Sequence, residues 1–249
     1  MSGHSKWATI KRKKGAEDAK RGKIFTRLAK DIAQAAKEGG GDENSNPKLK
    51  LAIAKAKAEN MPKDNIERAV LRGTGKLEGM ELEEKVYEGY GLDGVAFLID
   101  TLTDNSNRTL AELKRVFNRA GASLAAAGSV MWQFEQIGFI TLAGDVDFDE
   151  VFMVAAEAGA NDVVNEDGTI IVYTPRELFG AVEEALRKAD YEIDEAELRW
   201  EAKNLADVPL DKAVQNMKLM SDLEELDDIQ AVASNLNITD DVVAAFETA

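Results

Sequence analysis

The sequence predicts an α+β protein, in which an N-terminal three-helix bundle is followed by two α/β domains, one ferredoxin-like and inserted in the other. Three observations predict this fold. Apolar residues recur at helical spacing through the first 76 positions, and strand-like segments alternate with helical ones from Val86 onward. Between about residues 134 and 203, the segments follow the order β-α-β-β-α-β that is typical of a ferredoxin-like domain.

The elements on either side of that unit predict a discontinuous middle domain. Two strands and a helix precede it, and a helix and a strand follow it. The simplest arrangement joins these flanking elements in one domain that the ferredoxin-like unit interrupts. The predicted domains are therefore 1–76, 80–133 together with 204–249, and 134–203.

Three helices account for the N-terminal bundle. The first spans residues 16–38 and ends at three glycines, which are a strong helix stop. Asn46 and Pro47 begin the second, as a cap followed by proline in the first turn, and Pro62 begins the third, which ends at Gly73. The tract 73–79 resembles an interdomain linker. The residues expected inside the bundle are Ile24, Phe25, Leu28, Ile32, Ala36, Leu49, Ile53, Ala56, Ile66, Ala69 and Val70.

Alternating and helical patterns predict the remaining elements. A hairpin joins two strands through Gly-Leu-Asp-Gly, and a second hairpin turns at residues 165–168. The predicted strands are 86–90, 95–99, 130–142 with an interruption near 136–138, 163–164, 169–173, 191–200 and 229–232. The predicted helices are 109–119, 148–158, 175–188 and 210–223.

The composition excludes several classes of function. The chain of 249 residues has no cysteine, which removes disulfides, thiol catalysis and cysteine-ligated zinc, and its one histidine is His4. Neither a signal-peptide core nor a run of about 20 apolar residues is present, so we expect a cytoplasmic protein without a membrane partner. We expect no enzymatic activity, no catalytic residues, no metal, no cofactor and no small-molecule substrate.

Charge is distributed unevenly along the chain. Residues through Lys76 hold 19 Lys and Arg against 9 Asp and Glu, a balance of +10, whereas the remainder holds 12 against 37, a balance of −25. Such asymmetry between segments indicates a basic binding module on an acidic body.

The basic residues of the first helix recur on one face. Lys20, Lys23, Arg27, Lys30 and Lys37 follow steps of three, four, three and seven, opposite the apolar side of the helix. A polyanion would relieve their mutual repulsion and release counterions. A solvated surface and a membrane surface are the alternatives. The predicted nucleic-acid-binding residues are Lys6, Trp7, Lys11, Arg12, Lys13, Lys14, Lys20, Arg21, Lys23, Arg27 and Lys30; Trp7 would stack on a base or cap the bundle core.

Two sequence patterns resemble ligand-binding motifs but lack a feature that such motifs require. Gly89, Gly91 and Gly94 match a dinucleotide-binding pattern, but a strand-like segment follows them where a helix would be required. We therefore interpret them as a tight hairpin. The acidic run 224–228 lacks the spaced oxygens of a calcium loop, and we expect it to form a solvated turn.

Several blocks of the sequence resemble the YebC/PmpR family. They are Gly3-His4-Ser5-Lys6-Trp7, Asp18 through Thr26, Tyr87-Glu88-Gly89-Tyr90-Gly91, Leu102 through Thr109, Gly128-Ser129-Val130 and Glu157-Ala158-Gly159-Ala160. The resemblance covers nearly the whole chain. It implies three domains and the role of a DNA-binding transcriptional regulator. Other relatives, including a mitochondrial translational activator of cytochrome oxidase subunit I, imply a role in protein synthesis.

Two binding functions thus remain open. As a transcriptional regulator, the protein would bind duplex DNA with weak sequence preference, because lysines position a protein on phosphates without reading bases. As a ribosome-associated translation factor, it would bind ribosomal RNA through the same basic face, while the acidic body would face basic ribosomal proteins.

Overall fold

The computed structural model describes Trp7 and residues 19–77, 82–144, 146–166 and 168–248, with side chains from residue 24 onward and at Trp7. The chain forms two compact units. The larger comprises Met1–Gln133 and Ala202–Ala249, and the smaller comprises Phe134–Glu201. The smaller unit interrupts the larger one, as the order of the predicted elements suggested.

Eight helices and eight strands are described. The helices are α1 (Ala19–Gly39), α2 (Pro47–Ala58), α3 (Lys63–Gly73), α4 (Ser106–Arg119), α5 (Phe148–Glu157), α6 (Phe179–Lys188), α7 (Leu210–Glu224) and α8 (Asp240–Glu247). The strands are β1 (Glu83–Tyr90), β2 (Ala96–Thr103), β3 (Ser123–Ala125), β4 (Phe134–Leu142), β5 (Asp162–Glu166), β6 (Thr169–Pro175), β7 (Ile193–Ala202) and β8 (Ile229–Ser234).

The helices α1 to α3 form the predicted bundle. Asn46 joins the first two, because its side chain accepts from the Leu49 N–H and donates to the carbonyl oxygens of Ala35 and Gly40. At Gly73, a Cβ atom would lie 2.1 Å from a backbone oxygen of α1, so only glycine permits this approach of α3. Eight of the predicted residues lie in the bundle core: Leu28, Ile32, Ala36, Leu49, Ile53, Ala56, Ile66 and Ala69. The core also contains Ala35, Ala52 and Met61, which were not predicted, and the predicted Ile24, Phe25 and Val70 are partly buried against it.

The rest of the larger unit is a four-stranded sheet with helices packed on it. The strand order is β3-β1-β2-β8, and each neighbouring pair is antiparallel. Apolar side chains of the strands and of α4, α7 and α8 form one core. Gly89 lies in β1, opposite Phe97 of β2, and Gly91 lies in the turn of this hairpin, where its N–H donates to the carbonyl oxygen of Val95. A strand follows these glycines, which confirms the interpretation as a hairpin.

The smaller unit has the predicted ferredoxin-like topology. Its strand order is β5-β6-β4-β7, with β6 antiparallel to both β4 and β5. Both helices contribute to the core beneath the sheet, through Val151 and Ala155 of α5 and Val182 and Leu186 of α6. The fold class predicted from the sequence is therefore confirmed.

Two details of the strand predicted over residues 130–142 are wrong. The strand expected from residue 130 begins at Phe134, because the N–H groups of Val130 and Met131 donate to Glu88 instead of joining a sheet. The interruption expected near Gly138 is absent, and β4 runs through it. Glycine is needed there for close packing, since a Cβ would lie 2.3 Å from the Thr174 Oγ1 atom. Among the residues that the structure describes, no helix has both the length and the apolar character to cross a membrane.

Candidate nucleic-acid interface

The predicted basic face is described only in part. Lys6 and the run Lys11, Arg12, Lys13 and Lys14 lie outside the described residues. Lys20, Arg21 and Lys23 lie in the first turns of α1, where the structure describes the backbone but not the side chains. Farther along α1, Arg27 is half-buried and Lys37 is exposed. The helical spacing that was predicted for these cations is therefore present in the backbone of α1.

Lys30 has the helical spacing of the other cations of α1, but its side chain is mostly buried and paired instead of facing solvent. Its side chain is 13% exposed, and its ammonium group lies 2.5 Å from Asp228 Oδ1 in the turn between α7 and β8. The same ammonium group donates to the carbonyl oxygen of Asp227 at 3.0 Å. At the edge of the basic face, α1 contacts the α/β part of the larger unit, and the ion pair between Lys30 and Asp228 is part of that contact.

Asp228 collects four side-chain donors. Arg108 Nη2 lies 3.0 and 2.9 Å from its two carboxylate oxygens, and the hydroxyls of Thr103 and Thr109 lie 3.0 and 2.7 Å from Oδ2. Arg108 also pairs with Asp104 at 2.8 Å. Burial alone would raise the pKa of Asp228, but hydrogen bonds from Lys30, Thr109 and Arg108 outweigh it and lower the pKa from 3.8 to about 2. The carboxylate is therefore ionised at neutral pH although its side chain is 1% exposed.

The prediction of a solvated turn for residues 224–228 is wrong for Asp228, because this residue is buried and its carboxylate is fully paired. The cluster around Asp228 also joins two parts of the sequence that are distant along the chain: the block Leu102 through Thr109 and the acidic run. The acidic run alone carries no signal that distinguishes Asp228 from its exposed neighbours. The available signal for a buried polar partner was the run of polar residues from Thr103 to Thr109, which contains two threonines and an arginine.

Trp7 also has a role other than the predicted one. It is 4% exposed and belongs to the core of the α/β part rather than to the core of the helical bundle. Its Nε1 atom donates to Glu224 at 3.1 Å, and its ring lies 5.8 Å from the ring of Phe246 in α8. Neither stacking on a base nor capping of the bundle core describes this position. Trp7 therefore contacts the α/β part near the start of the basic segment, the stretch from Lys6 to Lys30 that holds the predicted binding residues.

Two lysines of α2 lie on the surface next to acidic residues. Lys48 pairs with Glu38 at 2.9 Å, and Lys57 lies 3.9 Å from Glu43. All four side chains are at least 40% exposed, so these pairs contribute little to stability and leave the lysines accessible.

A second buried carboxylate organises the loop before β4. Glu88 is 3% exposed and accepts hydrogen bonds from the backbone N–H groups of Gly128, Val130 and Met131, at 2.5, 2.6 and 3.0 Å. Burial raises the pKa of Glu88, but these backbone donors outweigh it, and the net pKa lies below the usual value. The blocks Tyr87 through Gly91 and Gly128 through Val130 therefore meet in the folded protein.

Two family models match the chain. The model described as the TACO1/YebC protein N-terminal domain matches residues 5–76, and the model described as the TACO1/YebC second and third domain matches residues 82–236.

Similar proteins cover almost the whole chain. A probable transcriptional regulatory protein of Geobacter sulfurreducens is 50% identical over 96% of this chain and 97% of its own length. One from Thermoanaerobacter pseudethanolicus is 51% identical over 97% of this chain and 99% of its own. The crystal structure of a conserved hypothetical protein from Aquifex aeolicus superposes with a TM-score of 0.80 at 40% identity, covering 90% of this chain and 93% of the other.

Proposed function

The chain belongs to the TACO1/YebC family, and we propose that it is a cytoplasmic, non-enzymatic regulator of gene expression that binds nucleic acid through its basic N-terminal segment. Duplex DNA is the proposed target and transcription the proposed process, since the curated relatives carry the name probable transcriptional regulatory protein.

The separation of charge carries this proposal. The balance of +10 through Lys76 stands against −25 in the remainder, and the first 23 residues alone hold eight Lys and Arg against two acidic residues. A polyanion would be attracted to this segment and repelled by the rest of the chain. Phosphates of a nucleic acid are spaced closely enough to engage several of these cations together.

The proposed contacts are the basic residues predicted from the sequence, with two exceptions. Lys30 and Trp7 are engaged inside the larger unit, so we assign them to positioning of the basic segment. The remaining proposed contacts are Lys6, Lys11, Arg12, Lys13, Lys14, Lys20, Arg21, Lys23 and Arg27.

A second candidate is a ribosome-associated translation factor, and the acidic remainder favours it. Twelve basic against 37 acidic residues after Lys76 would be attracted to the basic proteins that accompany ribosomal RNA. The DNA hypothesis gives this negative charge no role.

Ultraviolet cross-linking in living cells, followed by sequencing of the attached nucleic acid, distinguishes the two targets. Recovery of chromosomal DNA near promoters supports transcription. Recovery of ribosomal RNA from one defined site supports the translation factor. Recovery of neither above the level of an uncross-linked control contradicts both.

Salt dependence of binding tests the basic segment itself. Lys20→Ala, Lys23→Ala and Arg27→Ala together should remove three phosphate contacts and flatten the slope of log K against log salt by about 2.7 for duplex DNA. The matched control replaces three exposed cations outside the segment, Lys114, Arg176 and Lys188, and should leave the slope unchanged. Equal effects of the two variants would contradict the assignment.

A further inference from the structure

We propose that Trp132 is a stacking platform for one unpaired base of a nucleic acid, with Lys203 placed to contact the adjoining phosphate. This inference rests on the nucleic-acid binding in the proposed function, and it adds a contact outside the basic segment that a single-stranded or looped target, such as the ribosomal RNA of the second candidate, would use and an uninterrupted duplex would not. Three features of the larger unit carry it: the exposure of the indole ring, its rigid support and the neighbouring cation.

The indole ring of Trp132 is 68% exposed, the highest fraction among the large apolar side chains of the described residues. Trp7, in the same unit, is 4% exposed. A tryptophan that is not packed in a core leaves a large area of its aromatic face exposed. Such a face can stack on an aromatic ring of a ligand.

The ring is held in place through its polar atom. Trp132 Nε1 donates to the carbonyl oxygen of Ser129 at 3.0 Å, within a short 3-10 turn at Met131–Gln133. Because this bond satisfies the indole N–H group, the free surface of the side chain is its aromatic face. Such a side chain recognises a partner by stacking rather than by donating a hydrogen bond.

The backbone beneath the ring is also fixed. The buried carboxylate of Glu88 accepts hydrogen bonds from three backbone N–H groups of the loop, those of Gly128, Val130 and Met131. Tyr90 adds a hydrogen bond from its hydroxyl to the carbonyl oxygen of Ser129, at 3.1 Å. A ligand that stacks on Trp132 therefore loses little free energy to the ordering of the loop.

Lys203 supplies the positive charge. Its ammonium group donates to the carbonyl oxygen of Trp132 at 3.0 Å, and its backbone N–H donates to that of Gln133 at 2.9 Å. The residue is exposed, so the ammonium group has further donors for a phosphate. An aromatic face beside a lysine is the combination with which proteins bind single-stranded nucleic acid. An apolar protein segment would use the ring but would leave the ammonium group unmatched.

Stacking on Trp132 requires a base that is not already stacked between its neighbours in the nucleic acid. Bases of a duplex stack on both neighbours, whereas those of a single strand or an RNA loop can turn outward. We therefore expect the platform to contribute to binding of single strands and not of uninterrupted duplexes. Every base has an aromatic face, so little sequence preference is expected.

Fluorescence anisotropy with an unstructured oligouridine and with a blunt DNA duplex tests the proposal. Trp132→Ala should weaken binding of the oligouridine about 5- to 160-fold and change duplex binding less than twofold. Trp132→Phe, which keeps an aromatic face, should restore most of the loss. Met153→Ala removes another side chain of high exposure, 58%, and should change neither affinity. Lys203→Ala should reduce the salt slope on the oligouridine by about 0.7.

A second measurement does not depend on the folding of the alanine variant. The difference in fluorescence between the native protein and Trp132→Phe reports Trp132, and stacking of the oligouridine should quench it. Oligouridine binding without quenching, or with equal affinity in Trp132→Ala, overturns the platform while the proposed function stands. Failure of the native protein to bind either nucleic acid overturns the proposed function and the platform together.

Discussion

Replacement of Asp228 by asparagine should be among the most destabilising single changes in the larger unit. Asp228→Asn keeps the shape of the side chain and removes its charge, while Lys30, Arg108, Thr103 and Thr109 remain around it. The ammonium group of Lys30, on a side chain that is 13% exposed, would then face a neutral amide.

The magnitude follows from the pKa of the carboxyl group. A pKa lowered from 3.8 to about 2 corresponds to about 2–3 kcal/mol of stabilisation at neutral pH. Measured losses when one partner of a buried ion pair is removed are about 3–5 kcal/mol. We therefore expect Asp228→Asn to lower the free energy of unfolding by about 2–4 kcal/mol. Lys30→Met should cost about 1–2 kcal/mol, because Arg108 and both threonines still satisfy the carboxylate.

Urea unfolding at pH 7, followed by circular dichroism and tryptophan fluorescence, measures these differences. Asp222→Asn is the matched control, since Asp222 pairs with Arg119 at 2.7 Å on the surface, where the two side chains are 40% and 67% exposed. It should cost less than about 1 kcal/mol. The reasoning fails if Asp228→Asn is no more destabilising than Asp222→Asn, or if Lys30→Met is the more damaging of the two changes in the buried pair.

Other predictions follow from the same structure. Because the pKa of Asp228 is lower in the folded protein, its stabilisation should be complete above about pH 4 and be lost as the pH falls toward 2; acid unfolding of Asp228→Asn should lack this component. Lys30→Met should leave the salt slope of nucleic-acid binding unchanged, whereas Arg27→Met should flatten it by about 0.9 on duplex DNA. Glu88→Gln should lower stability by about 1–3 kcal/mol and speed hydrogen exchange at Val130, with unchanged exchange there contradicting the role of the carboxylate. Gly73→Ala should destabilise the helical bundle by about 1–3 kcal/mol in thermal unfolding, since the new Cβ would meet a backbone oxygen at 2.1 Å.

The fold was largely predictable because its signals are local. Asn46 followed by proline is a cap that depends on its own helix, and the confirmed start of α2 shows how much such a signal determines. The order of strands and helices in the smaller unit was sufficient to identify its topology. The C-terminal helix α8 was missed although Thr239 caps it and two aspartates occupy its first turn, because no long apolar stripe drew attention to it.

The site was less predictable because it depends on contacts between distant segments. Lys30 has the same spacing along α1 as its basic neighbours, and only the position of Asp228, 198 residues later, distinguishes it. In the same way, nothing near Trp7 indicates that Phe246 lies beside it. Periodicity identifies the face of a helix on which a residue lies, but it does not identify what covers that face.

The position of Trp7 links the basic segment to the timing of synthesis. Its hydrogen-bond partner Glu224 follows it by 217 residues, which takes roughly 10–40 s to translate at about 5–20 residues per second. Throughout that interval the growing chain contains the positively charged segment but not yet Glu224 and Phe246, which Trp7 contacts in α7 and α8. A nascent chain therefore carries these cations before it carries the contacts of Trp7, and premature termination before Glu224 would leave Trp7 permanently without both of them.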